Sequence, residues 1–293
     1  MRKIELNKNQ TLFMILQGRL GNQLFIFFAA KFFEEKYNKK VVFISDSKDR
    51  LHEVGIKSNN KKIVLPKYFF KIFNIVLRKL SVRKATSRYI HFCKNVGFED
   101  LSHKVRRLKF LNGHFQTNYY IEKSTISVLL ISDIKLYLQY KYILDSNYTF
   151  DKAIAIHIRR GDYLLEKNNY FGVLAQDYYM RSLISISNLM EYNKVYLFSD
   201  SRISPSFKDK TKAAFKHLEV IDANELDLDD ICTLAILIRF SSYIISNSTY
   251  SWWGAYLGED TKIVRAPSFW FKNHQDPQKL YPSTWETVES AWD

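Results

Sequence analysis

The chain has little cysteine, no long apolar run and too few acids to balance its bases. Its two cysteines, Cys93 and Cys232, lie far apart and in no CxxC pattern. That excludes a disulfide framework, argues against structural zinc and favours a reducing compartment. No window approaches the roughly 18 apolar residues that a membrane helix needs. The first apolar run, Leu12 to Leu16, is too short for a secretory leader and lies behind a polar decapeptide, so no targeting segment is expected. The sequons at Asn147 and Asn247 are therefore read as chance matches. There is no internal repeat, no low-complexity tract, no GxGxxG and no Gly-Lys-Ser/Thr loop. No His/Cys/carboxylate cluster has metal-ligand spacing, so no metal is expected.

What is present describes a globular protein. The 293 residues are 46% apolar and 16% aromatic, enough for one large or two ordinary domains. The formal charge of +14 leaves three partner classes open: nucleic acid, an anionic membrane surface or a polyanionic small substrate. Leu12 to Gln17 reads as a strand, Leu24 to Tyr37 as a helix with Phe25, Phe28, Ala29 and Phe32 on one stripe, and Val41 to Ile44 as the next strand. The intervening loop, Gly18-Arg19-Leu20-Gly21-Asn22-Gln23, reads equally as a tight turn or as a ligand loop.

Residues 66–110 hold twelve Lys or Arg against Glu99 and Asp100, an excess of +10. Phe69, Phe73, Val76 and Leu80 form an apolar stripe with the bases mainly off it. A basic amphipathic helix can lie on an anionic membrane. The plainer reading, a helix packed on the core with a solvated basic face, takes precedence. Nucleic-acid binding rests on charge alone, because no compact nucleic-acid motif is present. Asp145-Ser146-Asn147 reads as a linker, dividing the chain into domains 1–147 and 148–293.

The second half alternates strands with helices, which implies a parallel, doubly wound α/β sheet. Its opening strand, Ala153 to Ile158, ends abruptly in Arg159-Arg160-Gly161-Asp162. Ligands bind outside the carboxyl ends of such strands, and paired arginines suit phosphate or carboxylate oxygens. Two further strand ends are polar: Ser199-Asp200, and Ser246-Asn247-Ser248-Thr249. The last also opens a helix, where Ser248 or Thr249 can cap the free N–H groups or leave them for an anion. Strand alternation puts His157 and Arg159 on one face and Arg160 on the other. Both arginines can meet one ligand only if the chain twists beyond Ile158; otherwise one grips the ligand while the other braces the site through a carboxylate. His157 is read as structural. Asp227-Leu228-Asp229 has the spacing of a metal-binding DxD, but directly before a helix it reads as a cap.

Five blocks resemble the family 11 glycosyltransferases, the α-1,2-fucosyltransferases. They are Gly18 to Phe25, Gly113 to Tyr120, His157 to Tyr163, Phe198 to Asp200, and Ile245 to Ala255. The resemblance implies a GT-B-like pair of Rossmann-like domains facing a cleft, with the acceptor on the N-terminal side and the donor on the C-terminal side. It implies a GDP-fucose donor, no metal or other cofactor, and inversion at the anomeric carbon. Arg159 and Arg160 would hold the pyrophosphate, Ser248 and Thr249 would contact phosphate, and Gly18, Gly21 and Asn22 would face the cleft. His157, Asp200 and Asn247 complete the expected donor site. Asp162 is the first candidate for the general base, unless it orients an arginine, and Glu166 is the second. The acceptor would be a glycan of surface polysaccharide, O-antigen included, on a lipid carrier. The enzyme would be cytoplasmic, with 66–110 resting on the inner membrane face.

Overall fold

Short β-branched strands separated by helices fold into two parallel-sheet units. The computed structural model describes residues 11–46, 49–142, 150–165, 170–258, 263–272 and 275–293. The expected linker, Asp145-Ser146-Asn147, and Glu166 lie outside that set. The chain divides into two compact units, Met1–Asp133 with Pro277–Tyr281, and Ile134–Asp276 with Pro282–Asp293.

The first unit contains β1 (Thr11–Ile15), α1 (Leu20–Tyr37), β2 (Lys40–Ser45), β3 (Lys61–Val64), α2 (Lys67–Ser81), β4 (Ile90–Phe92), β5 (Phe110–Asn112) and the short α3 (Tyr119–Glu122). Helix α4 (Thr125–Lys141) runs on through the division at 133/134. The sheet is parallel, in the order β3-β2-β1-β5-β4. Helix α1 is buried nearly all round, including Phe25, Phe28, Ala29 and Phe32. It starts at Leu20, four residues before its apolar pattern suggests, so Gly21 and Asn22 lie in its first turn.

Helix α2 corrects the expected stripe. Phe70 and Leu77 are the buried residues, whereas Phe69 is 62% and Val76 47% exposed. Phe70 packs with Ile15 and Ile44, and the Phe73 ring meets Phe110 edge-on at 6.1 Å, itself stacked on Phe13 at 5.0 Å. Two apolar arcs exist on this helix, and contact with the sheet's aromatics decides which one turns inward.

The second unit contains β6 (Ala153–Ile158), α5 (Gln176–Ser187), β7 (Lys194–Ser199), α6 (Pro205–Ala214), β8 (Glu219–Asp222), α7 (Asp230–Leu237), β9 (Ser242–Ile244), α8 (Thr249–Tyr256), β10 (Ile263–Pro267) and β11 (Glu286–Val288). Its parallel order, β11-β10-β9-β6-β7-β8, is the 3-2-1-4-5-6 order of doubly wound dinucleotide-binding sheets read from the other edge. β6 is buried at every position, as a strand covered on both faces must be. Ile154, Ile156 and Ile158 pack with Tyr178, Leu183 and Phe207 of the neighbouring helices.

Between β10 and β11 the chain supplies part of the first unit. Asn118 N–H and Thr117 Oγ1–H both donate to the Lys279 carbonyl, at 2.9 and 2.7 Å. Among the described residues no helix is long and apolar enough to cross a membrane. Replacing Phe70 by Ala should cost about 3 kcal/mol or more. Phe69→Ala should stay within about 0.5 kcal/mol, as expected for an exposed side chain. Denaturant unfolding of the two variants checks which arc is the core.

Candidate active site

In the second unit, β9, β6 and β7 lie side by side with their carboxyl ends on one edge. The order reverses between β6 and β9, which is where open α/β sheets bind ligands. His157 pairs with Phe198 and Ile158 with Ser199, so the residues after β6 and β7 emerge together.

Asp200 organises that edge. Its Oδ1 accepts the backbone N–H groups of Arg160 at 2.9 Å and Gly161 at 3.1 Å. Its Oδ2 pairs with Arg159 Nη1 at 2.7 Å. Position 161 requires glycine, since a Cβ there would collide with the Asp200 carboxylate. The other side of the Arg159 guanidinium pairs with Asp162, and its Cζ lies 4.9 Å from the centre of the Tyr163 ring. With a side chain 12% exposed, Arg159 is clamped by two carboxylates and an aromatic face. Asp162 thus sits as an orienting partner of that arginine. Arg160 is 29% exposed and pairs with Asp293 at 3.0 Å.

The loop after β9 is fixed from inside. Ser251 Oγ–H lies within bonding distance of the carbonyls of Ser246 and Ser248, at 3.2 and 3.0 Å. The Asn247 side-chain amide donates towards the carbonyls of Phe171, Gly172 and Trp270, while the Asn247 backbone carbonyl accepts the Tyr163 hydroxyl at 3.0 Å. Tyr163 therefore links Arg159 to the loop that starts α8. Ser248 is the N-cap residue of α8, but its hydroxyl makes no capping bond to the first turn, and Thr249 is the first helical residue. His157 Nδ1 is 2.9 Å from Ser246 Oγ. Burial first, opposed by Asp200 and reinforced by Arg159, pushes the His157 pKa down to about 4. It is a buried, neutral imidazole.

Asp229 Oδ1 accepts the N–H groups of Ile231 and Cys232, so the DxD carboxylate caps α7. Among the described residues, one trio of metal-ligand type that sequence spacing missed is His91, Cys93 and Glu99. The Lys104 ammonium sits 3.2 Å from both His91 ring nitrogens and 3.5 Å from Glu99, so the cationic place among them is already filled.

Gly18, Gly21 and Asn22 belong to the first unit. Gly18 has φ +82°, and a Cβ there would press on the Asn22 side chain. Gln116 Nε2–H donates to Asn22 Oδ1 at 2.9 Å, joining the first two sequence blocks. Phe115, before it, holds the left-handed φ of 54° that costs a bulky side chain strain. At the carboxyl ends of the first sheet lies a cavity of about 590 Å³. Gln17, Asn74, Asn112 and His114 line it together with Lys67, Lys71 and Arg78 of α2. His114 Nδ1 is buried without a hydrogen-bond partner.

The site residues that sequence reading did not single out are Tyr163, Gln116, Ser251 and Asp293. The first three fall inside the quoted blocks. Asp293 carried no local signal, because its partner is 133 residues away.

The chain matches the family model described as Glycosyl transferase family 11 over residues 3–289. It is 25% identical to the O-antigen biosynthesis glycosyltransferase WbnK of Escherichia coli, over 94% of this chain and 99% of that one. It is 24% identical to an alpha-1,2-colitosyltransferase of the same organism, over 94% and 97%. Among solved structures, the fucosyltransferase NodZ from Bradyrhizobium is similar at a TM-score of 0.43 and 11% identity, over 85% of this chain and 94% of that chain.

Two outcomes check the geometry. Gly161→Ala should cost about 1–3 kcal/mol through its collision with Asp200. The His157 contribution to stability should fall as pH drops below the ordinary histidine value of 6.5 and level off near 4, because across that window this imidazole takes up a proton in the unfolded chain and not in the folded one. Thermal melts of wild type and His157→Gln across this range should differ by that component.

Proposed function

The chain belongs to glycosyl transferase family 11, and on that premise we propose that it transfers L-fucose from GDP-fucose to a galactosyl hydroxyl in α-1,2 linkage, with inversion and without a metal. The carrying observation is the Arg159 guanidinium, held between Asp162 and Asp200 and connected through Tyr163 to the start of α8. The acceptor oxygen forms a bond to the anomeric carbon as the bond to the GDP β-phosphate breaks, and the acceptor's proton is released. Negative charge grows on the departing pyrophosphate. A guanidinium fixed beforehand, together with the free N–H groups of a helix start, stabilises that charge without reorganising.

The arginines divide the work. Arg159 faces the donor phosphates, and Asp200, tied also to two backbone amides, keeps it aimed while phosphate competes with Asp162. Arg160 braces the turn through Asp293. The amide-lined cavity of the first unit suits the hydroxyls of a glycan acceptor. The name of WbnK supports an O-antigen acceptor, and that of the colitosyltransferase supports the α-1,2 linkage. The same name favours a second reading, in which the reaction is unchanged but the sugar is colitose.

GDP should raise the thermal midpoint, and Arg159→Lys should abolish that shift and lower turnover at least a hundredfold, in line with loss of an oxyanion-type donor. Arg160→Ala should cost turnover much less. Transfer to galactosides should survive EDTA. A loss with EDTA, or full activity in Arg159→Lys, would overturn the mechanism.

A further inference from the structure

The face that α2 leaves outward is not polar. Tyr68 is 72% exposed, and Phe69, Ile72, Ile75 and Val76 lie exposed on the same arc. At 100° per residue these five positions cover the 80–200° sector measured from Lys67, while Phe70 and Leu77 point to the opposite side. Ile63 and Val64 of the edge strand β3, which leads into the helix, are exposed too, Val64 by 66%. Contiguous apolar surface of this kind marks a contact site rather than ordinary solvent exposure.

Charge identifies the occupant. Lys67, Lys71 and Arg78 run along one border of the apolar arc, within about 40° of one another on the helix. Lys79 stands inside the arc, and the exposed Arg83 and Lys84 continue it past the helix end. Aromatic and aliphatic side chains flanked by lysine and arginine match the interface of a bilayer with anionic headgroups, the apolar face entering the acyl boundary and the bases meeting phosphate. A nucleic acid would match the bases but leave the apolar arc in water.

We infer that the first unit docks on an anionic lipid bilayer through the outer face of α2 and the end of β3. Lys67, Lys71 and Arg78 also border the cavity proposed for the acceptor, so the variants tested lie outside that lining and the test reads binding alone.

The full-length chain is sedimented with vesicles of phosphatidylglycerol and phosphatidylethanolamine, and with vesicles of phosphatidylcholine alone. Binding to the first, little to the second, and release by added salt are expected. The triple variant Tyr68→Ser, Phe69→Ser, Ile72→Ser should melt like wild type and lose most vesicle binding. Lys79→Ala and Arg83→Ala should weaken binding about fivefold each, which decides the matter if the triple variant does not fold. Equal binding to both vesicles, binding to neither, or binding unchanged in the variants overturns the inference. So does a concentration-dependent dimer that the triple variant abolishes while vesicles are not bound. Salt-sensitive capture of an oligonucleotide in place of vesicles also overturns it.

Discussion

One carboxylate sets the geometry of the edge where β6 and β7 end. Asp200 takes two backbone N–H groups from the turn after β6 and an ion pair from Arg159, so it fixes both the path of the chain and the direction of the guanidinium. A β-strand alone would leave a long arginine with many rotamers. Here one face of the guanidinium rests on Tyr163 and two carboxylates hold its edges. The ordering entropy is met in folding, so a ligand arriving there finds the donor already aimed. Glycine at 161 is the steric counterpart, because the carboxylate occupies the space a Cβ would need.

The parts of the fold that were legible are those where local chemistry and tertiary environment agree. β6 carries six buried residues in a row, five of them apolar, and ends at a charged turn, so its bounds follow from the sequence. The strand order, by contrast, is carried by no residue pattern, and β3, whose four residues are all exposed, offers none to read. Helix α2 shows the limit most clearly. Its apolar residues are numerous enough to draw two faces, and only the rings of Phe13 and Phe110 beneath it select Phe70 over Phe69.

The site was legible as a set of residue types and not as a division of roles. Arg159, Asp162, Asp200 and the residues leading into α8 do meet, as polar ends of neighbouring parallel strands should. Which arginine is enclosed, and that Tyr163 connects it to Asn247, depends on contacts 84 residues apart along the chain. Gly18, Gly21 and Asn22 form a separate cluster in the first unit, secured by Gln116.

The short stretch near residue 279 has a consequence for synthesis. Its carbonyls receive hydrogen bonds from Phe98, Thr117 and Asn118, and the Lys279 ammonium lies over the rings of Phe98 and Tyr119. The first unit is therefore complete only after the chain has emerged from the ribosome almost to its last strand. Folding cannot be finished strictly in the order of translation: the half made first must wait, with its Phe98–Tyr119 surface uncovered, for a piece made near the end.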